Sequence, residues 1–380
     1  MIDLVSISII IPCRDEEKYI GKCLNSPCRD EEKYIGKCLD SIIAQDYPKN
    51  KLEVLVVDGM SEERTRKMVE EYTKRFSFIK LLDNPRKIIP CALNLGIKNS
   101  QGELILWASA HNEYKKDYIT KCVAYLKEYR ADCVGGIIKA LPRNNNLAGK
   151  AIVLSISHPF GVGNSVFRTG SKSPKWVDTV FGSCYKREIF EKVGTFNENL
   201  IYGQDMEFSL RLKKASFKTL LVPEIVSYYY ARSDFKSFWK HNFRNGLWAI
   251  LPFNFTTIMP VSWRHLVPLV FVSVLMSSFC LWAFSGLLSS SGLLGLLSLL
   301  GLLSFLVIVG SYSLCNVFFS TKIALKEKDI KYLFLMPVIF AVLHISYGLG
   351  SVWGALKVAP SKQFWQNRFR ALFSHKRQLW

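Results

Sequence analysis

The sequence predicts an α/β domain with a mostly parallel sheet and helices on both faces, followed by an α-helical membrane region. Three observations carry this. Short β-branched runs alternate with helical patterns over the first 235 residues. Three long apolar stretches without Asp, Glu, Lys or Arg follow. The charge is also uneven: the 380 residues hold 50 basic and 31 acidic side chains, yet from Phe235 onward there are 14 basic and two acidic ones, Glu327 and Asp329. A basic, apolar, nearly acid-free C-terminal part fits a membrane rather than a nucleic acid, and no reading helix or base-stacking sheet is evident. With 49% hydrophobic residues, long disorder is excluded, and the apolar stretches exclude a wholly soluble chain.

The elements follow in order. Val5–Ile11 reads as a buried strand, and Glu53–Val57 as a second, ended by Asp58-Gly59. Glu62–Phe76 has helical periodicity through Met68, Val69 and Tyr72. Phe78–Leu82 is a short strand, Ile88–Asn99 a helix, Glu103–Trp107 a strand, Tyr118–Tyr129 a helix and Asp132–Ile138 a strand. Alternation at these lengths implies parallel strands joined by crossover helices, with ligands beyond the carboxyl ends of the strands. The segments to inspect are therefore Pro12–Glu17, Asp58–Ser61 and Ala108–Tyr114. Ten cysteines without a C-x-x-C pair read as reduced thiols rather than a disulfide or zinc framework. Met1–Asp3 lacks the basic start of a signal peptide.

Leu266–Phe284, Gly292–Phe319 and Tyr332–Val352 are each long enough to span a bilayer, which takes about 20 helical residues. The third is interrupted by Pro337 and His344, which leaves a re-entrant segment as one alternative. Leu247–Trp263 is a shorter candidate, broken by Pro252 and Pro260. The uncharged loop Ser285–Ser291 suits the far side, and Ser320–Lys331, with four lysines, suits the cytoplasm. In the tail, Trp365, Phe369, Leu372 and Phe373 share one helical face beside six basic residues, a pattern for an anionic lipid surface. The expected organisation is a catalytic domain over 1–235 and a membrane-interface segment over 236–265. Transmembrane helices (about 266–284, 292–319 and 332–352) fill 266–353, and a basic amphipathic tail 354–380.

Several motifs, in order, carry a family resemblance. Ser6–Glu17 (SISIIIPCRDEE) and Val56-Val-Asp58-Gly-Met-Ser61 come first, then Ala92-Leu-Asn94-Leu-Gly96 and Gln101-Gly-Glu103. Asp178-Thr-Val-Phe-Gly182, Val193–Glu198, Gln204-Asp205-Met-Glu207 and His241-Asn-Phe-Arg244 follow. Together they resemble family 2 glycosyltransferases, most nearly the membrane-bound exopolysaccharide enzymes of the succinoglycan type, over residues 4–250. The resemblance implies a GT-A fold, Rossmann-like, and an inverting transfer of sugar from a nucleotide sugar, a UDP-sugar by expectation. The acceptor would be lipid-linked or a polysaccharide, and the domain would face the cytoplasm from a multi-pass anchor in the cell membrane. Asp205 is implied as general base. Pro12, Arg14, Glu16, Arg29, Glu31, Asp58 and Asn94 are implied on the donor side, and Asp178, Gly182, Gln204 and Arg244 on the acceptor side.

The chemistry gives these residues reasons. Carboxylates at strand ends, Asp58 and Glu16, suit a base N–H and ribose hydroxyls. A partly desolvated Asp205 would take the acceptor proton. A divalent cation (Mn²⁺ or Mg²⁺) is expected from the resemblance, but the acidic D-x-D or D-x-H pattern reads Ser109-Ala110-His111, which leaves His111, with Glu113 two residues on. Without a metal, cations such as Arg14, Lys87 or Arg244 would meet the diphosphate charge. Two other readings stay open: a catalytically impaired membrane scaffold in polysaccharide assembly, favoured by Ser109, and a processive synthase, disfavoured because the Q-x-x-R-W site reads His241-Asn-Phe-Arg244-Asn.

Pro12–Ser26 and Pro27–Ser41 are near-identical copies that differ only at Asn25 against Asp40. The family needs this loop and helix once. Either copy 2 supplies most of the helix and copy 1 is an excursion near the site, or copy 1 supplies the loop and copy 2 bulges out.

Overall fold

The computed structural model describes residues 5–14, 31–61, 63–288 and 292–368. They divide into two compact units: residues up to Leu141 with Ser165–Tyr230, and Pro142–Asn164 with the chain from Ala231 onward. The expected single cut near residue 235 is replaced by an exchange. Residues 142–164 leave the first unit and join the C-terminal helices, which bury their apolar face.

The first unit is built on β1 (Ile7–Cys13), β2 (Leu52–Asp58), β3 (Ile79–Asp83), β4 (Leu104–Trp107), β5 (Asn112–Tyr114), β6 (Cys133–Pro142), β7 (Lys175–Trp176), β8 (Phe181–Lys186) and β9 (Thr219–Ala231). Its helices are α1 (Glu31–Ile43), α2 (Glu63–Arg75), α3 (Ile89–Asn99), α4 (Tyr118–Glu128), α7 (Val166–Thr169), α8 (Glu188–Val193) and α9 (Gln204–Lys214). The sheet order is β3-β2-β1-β4-β8-β6-β9-β5, with β7 on β9.

β1 is apolar on both faces, as a central parallel strand must be. Ile9 and Ile11 meet Ile35, Cys38, Leu39 and Ile42, one helical face of α1. Ile10 points the other way, onto Ala92, Leu93 and Ile97 of α3. Gly96 lets α3 approach, since a Cβ there would lie 2.4 Å from Ile10. Helices thus cover both faces.

The pairings β1–β2, β1–β4 and β2–β3 are parallel. Those of β8 with β4 and β6, and of β9 with β5 and β7, are antiparallel. The sheet is therefore mixed, not mostly parallel. β5, β7, β8 and β9 were absent from the sequence expectation, and the pairings given for them are antiparallel. Register aligns Cys13 with Asp58 and Asp58 with Asp83, so three strands end level at one edge.

β1 ends on the first two residues of copy 1, Pro12 and Cys13, and α1 begins at Glu31 within copy 2. This matches the reading in which copy 2 supplies the helix. Residues 15–30 lie outside the described residues.

The second unit holds α5 (Leu147–Ile156), α6 (Pro159–Val162), α10 (Phe235–Ile250), α11 (Val267–Leu288), α12 (Gly292–Glu327) and α13 (Lys331–Val358). Asn144 N–H donates to Ser233 Oγ (3.0 Å) and Arg143 N–H to the Ala231 carbonyl (3.1 Å), closing the insertion at its neck. Ala151 and Ile152 of α5 then pack with Met336, Ile339 and Phe340 of α13. Backbones touch between α10 and α13, where a Cβ on Gly246 would lie 1.9 Å from the Tyr347 carbonyl oxygen.

Three helices are long and apolar enough to cross a membrane: Trp263–Ser285, Gly292–Glu327 and Lys331–Val358, with mean hydropathy 2.2, 2.6 and 1.9. Leu296, Leu299, Leu303, Leu306 and Val307 stand exposed along α12, as a lipid-facing helix requires. The helices outrun the expected spans at 319 and 352, because the charged end Ser320–Glu327 and the end Trp353–Val358, which carries Lys357, continue them. α13 runs through Pro337 unbroken. Of the tail, residues 362–368 are helical; Phe369, Leu372 and Phe373 lie outside the described residues.

Deleting residues 16–30 restores one copy of the repeat and leaves Arg14 and Asp15 to join β1 to α1. Connections of about 2–6 residues are usual here, and each halving of a loop changes its closure cost by only about 0.6 kcal/mol. The shortened chain is expected to keep its helical circular dichroism and a cooperative melt. A non-cooperative melt would show that both copies are structural.

Candidate functional site

A cleft opens in the first unit at the level strand ends. It encloses ≈ 990 Å³, including space open to solvent, and Pro12, Arg14, Lys87, Trp107, His111 and Tyr202 are among its walls.

Of the residues expected on the donor side, Pro12 and Arg14 lie in this wall. Arg14 Nη1 donates to the Lys87 carbonyl at 2.8 Å, and Lys87 has a left-handed φ of 61°. Asp58 is fully buried behind the cleft. Its carboxylate accepts from Ser61 N–H at 3.2 Å and pairs with Arg66 Nη1 at 3.4 Å; Arg66 also binds Asp83 Oδ1 at 2.6 Å. Asp58 therefore orders the turn after β2. Glu16 and Arg29 lie outside the described residues, and Glu31 is described only by its backbone, at the start of α1.

Asn94 is placed elsewhere. Its Nδ2 donates to the Phe196 carbonyl (2.9 Å) and to Glu198 Oε1 (3.0 Å), and its Oδ1 accepts from Phe196 N–H (2.9 Å). It clamps α3 to the 194–203 loop. Arg211 grips the same loop, donating to the carbonyls of Val193 (2.9 Å) and Thr195 (2.8 Å) and pairing with buried Glu207 at 2.8 Å. Arg86 pairs with Glu198 at its exposed edge. Contacts with Asn94, then Cys91 and Arg86, hold the Glu198 carboxyl below its usual range against burial.

The clamped loop carries Ile201 and Tyr202 into the cleft wall and leads through Gly203, at φ 77°, into α9. Asp205 lies in the first turn of α9. Loss of water pushes its carboxyl up; the N–H groups of Met206 and of Asp205 itself, then the charge of Arg168, pull against that rise. This is the balance a general base needs.

Ser109 and His111 line the cleft between these two sides. Ser109 N–H donates to Tyr114 Oη at 2.7 Å, and His111 N–H reaches Ser109 Oγ at 3.4 Å. Glu113 is engaged by Lys37 (3.2 Å) and by the Tyr230 hydroxyl (2.6 Å). Among the described residues no cluster of three His, Cys, Asp or Glu side chains is suited to a metal. A hydroxyl and one imidazole do not fit a divalent cation that prefers anionic oxygen.

Of the acceptor residues, Gln204 is buried at the start of α9. Gly182 adopts a φ of 60°, and its carbonyl accepts from Tyr118 Oη at 2.7 Å. Asp178 pairs with Lys213 at 2.7 Å on the surface. Arg244 belongs to the second unit, where Arg244 Nη2 and Arg232 Nη1 lie 3.2 and 3.1 Å from His241 Nδ1.

Sequence reasoning missed Arg66 and Arg168. Arg66 lies in the first turn of α2, just beyond the turn that Asp58 begins, and was legible as a cation there. Arg168 stands in a short Phe-Arg-Thr-Gly stretch with no periodicity to mark it.

Residues 26–194 match the family model for glycosyl transferase family 2, and residues 113–349 that for glycosyl transferase family group 2. The first match begins at copy 2 of the repeat and leaves β1 outside. The dolichyl N-acetyl-alpha-D-glucosaminyl phosphate 3-beta-D-2,3-diacetamido-2,3-dideoxy-beta-D-glucuronosyltransferase of Methanococcus voltae is 33% identical, over 63% of this chain and 71% of its own. Glycosyltransferase AglE of Haloferax volcanii is 24% identical, over 63% and 71%. The solved mannosyltransferase PcManGT of Pyrobaculum calidifontis, in complex with GDP-Man and Mn²⁺, has a TM-score of 0.50 at 16% identity. It covers 92% of this chain and 87% of that one, a likeness of fold.

Asn94→Ala removes three hydrogen bonds and strands a partly buried N–H. It is expected to cost about 1–3 kcal/mol in urea denaturation; an unchanged midpoint would show that the clamp is idle. Ser109→Asp adds the anionic oxygen the cleft lacks. It is expected to tighten Mn²⁺ binding in titration calorimetry about tenfold or more, equivalent to about 1.4 kcal/mol. Unaltered affinity would mean that position 109 cannot reach a cation.

Proposed function

The chain belongs to glycosyl transferase family 2, and from that premise we propose that it moves a sugar from a nucleotide sugar, a UDP-sugar by preference, to a lipid-linked glycan at the cytoplasmic face of a membrane, with inversion. The observation that carries the reading is Asp205: a half-buried carboxylate in the first turn of α9, three residues beyond Tyr202 in the wall of the strand-end cleft. The acceptor hydroxyl gives its proton to Asp205. Its oxygen attacks the anomeric carbon as the bond from that carbon to the diphosphate oxygen breaks. The nucleoside diphosphate leaves with the bonding pair.

The acceptor class is supported by the apolar helices and by the Methanococcus voltae relative, whose name carries a dolichyl-linked sugar phosphate. Orientation is supported by the four lysines of Ser320–Lys331, where α12 ends and α13 begins. With α11 and α12 crossing, that loop returns to the side from which the chain enters, and α5 packs near the same end of the helices, against Ile323, Ala324 and Tyr332. The Ser109-Ala110-His111 donor set leaves the diphosphate charge to basic side chains such as Arg14 and Lys87.

Asp205→Asn keeps the shape and removes the base. Transfer from a panel of nucleotide sugars, in membranes, is expected to fall about 10²–10⁴-fold with UDP affinity unchanged. The base works only when ionised and its carboxyl is pushed up, so the wild-type rate should fall with decreasing pH at a point above the ~3.9 of free aspartate. Undiminished transfer by the Asn variant would remove Asp205 from the chemistry.

A further inference from the structure

α13 is unbroken, but it ends beside the segment that leads into α11. Tyr347 Oη lies 2.9 Å from Nδ1 of His265, in the turn just before α11. A Cβ on Gly348 would lie 2.5 Å from the carbonyl oxygen of Pro268, in the first turn of α11. The second half of α13 therefore starts where α11 starts. From Gly348 to Val358 a helix rises about 15 Å, half the thickness of a hydrocarbon core. Residues 362–368 then form a short helix, in which Asn367 Nδ2 donates to the Asn254 carbonyl at 2.7 Å and Arg368 to the Thr256 carbonyl. The Arg368 guanidinium lies 5.3 Å from the Phe253 ring centre. All three partners precede α11.

The last turns of α13 are also covered by protein rather than left to lipid. Ser346, Gly348, Gly350, Ser351 and Gly354 are buried. A Cβ on Gly350 would lie 2.0 Å from the Phe243 carbonyl oxygen of α10, and Ser351 Oγ donates to the Gly246 carbonyl at 3.1 Å. α10 carries Lys236, Lys240, His241 and Arg244 within its 16 residues, so it is too short and too charged to cross a bilayer. The apolar stretch of α13 is 39% buried within the protein, against 11% and 6% for those of α11 and α12. A third crossing would carry the end of α13 to the far face, about 30 Å from the segment before α11. The contacts of Asn367 and Arg368 with residues 253–256 oppose that separation.

The outward side of this end is aromatic and basic. Trp353 and Trp365 are exposed, as is Trp263 just before α11. Lys357 Nζ lies 5.5 Å from the Trp353 ring centre, and Lys362 is exposed. Ile330–Arg368 holds no acidic residue. Tryptophan favours the headgroup level of a bilayer, and clustered lysine favours anionic lipid there.

We propose that only α11 and α12 cross the bilayer, and that the end of α13 with residues 362–368 is a membrane-surface element on the side where α11 begins, placing Trp353, Lys357, Lys362 and Trp365 against anionic phospholipid headgroups. This rests on the reading of α11 and α12 as spans and is independent of the chemistry of the cleft.

Two variants of the full chain, expressed in bacteria and assayed as spheroplasts, test the topology: Ser290→Cys, between α11 and α12, and Gln366→Cys, at an exposed position of the short helix. A membrane-impermeant maleimide is applied before and after opening with detergent, and labelling is read above that of the wild type. The expected result is opposite behaviour: Ser290→Cys labels in intact spheroplasts, and Gln366→Cys only after opening. Labelling of both in intact spheroplasts, as three spans require, overturns the proposal, and so does protection of both. The reverse pattern supports two spans and overturns instead the cytoplasmic orientation. In a second arm, the purified full chain is exchanged into mixed micelles of equal phosphatidylglycerol and phosphatidylcholine, and retained lipid is counted by mass spectrometry. Phosphatidylglycerol is expected in excess, and the double variant Lys357→Gln, Lys362→Gln is expected to lower the ratio about threefold or more. No excess in the wild type, or a ratio unchanged in the double variant, overturns the headgroup assignment.

Discussion

A carboxylate at the start of a helix is caught between loss of water and the groups that favour its charge, and the turn that carries Asp205 is built around that tension. Desolvation disfavours the charge on Asp205; two backbone N–H groups of the α9 first turn and the charge of Arg168 favour it. These effects act over short distances, so the turn cannot be allowed to wander. The 194–203 loop that leads into it is held by Asn94 on one side and by Arg211 on the other. Arg211 is fixed in turn by Glu207, a buried carboxylate two residues after Asp205. Removing one member of such a pair leaves a buried charge alone, which typically costs about 3–5 kcal/mol. The loop is therefore rigid for electrostatic reasons that lie outside the cleft.

The opposite wall obeys a different constraint. Three strands end level because the register aligns Cys13, Asp58 and Asp83, and every turn beyond them has to cross the same edge. Asp58 and Asp83 bring two carboxylates side by side there. Arg66 bridges them at 3.4 and 2.6 Å. The bridge frees neither carboxylate for a ligand by itself, but it fixes the turn that lets Arg14 run along the cleft to the Lys87 carbonyl.

Much of this was legible in the sequence, and the failures have physical causes. β1 to β4 and α2 to α4 announce themselves because strands buried on both faces must be continuously apolar and their helices amphipathic. β9 did not, since its Ser227–Tyr230 end is polar and its partners are remote in sequence. The placement of Pro12 and Arg14 at the end of β1, and of Asp205 at the start of α9, was readable from local motifs. The contacts of Asn94 lie 102 and 104 residues away, so its local motif could mark it but not say what it touches. The charge of Arg168 acts on Asp205 only after the chain has returned through β8 and α8.

The interruptions in the third apolar stretch invite the same analysis. Proline removes one helical N–H, and a histidine in hydrocarbon needs partners for both ring nitrogens. In the second unit the Pro337 carbonyl accepts from Asn316 Nδ2 at 3.0 Å. His344 Nδ1 lies 3.0 Å from the Tyr312 hydroxyl, and Nε2 lies 2.9 Å from the Phe160 carbonyl on α6. Each polar group that seemed to argue against a span is met by another helix of the same unit. A helix satisfied in this way has no need to turn back, so α13 continues from Lys331 to Val358. The polar residues in the stretch therefore act as ties that join α6, α12 and α13, and they supply directional contacts that apolar packing alone lacks.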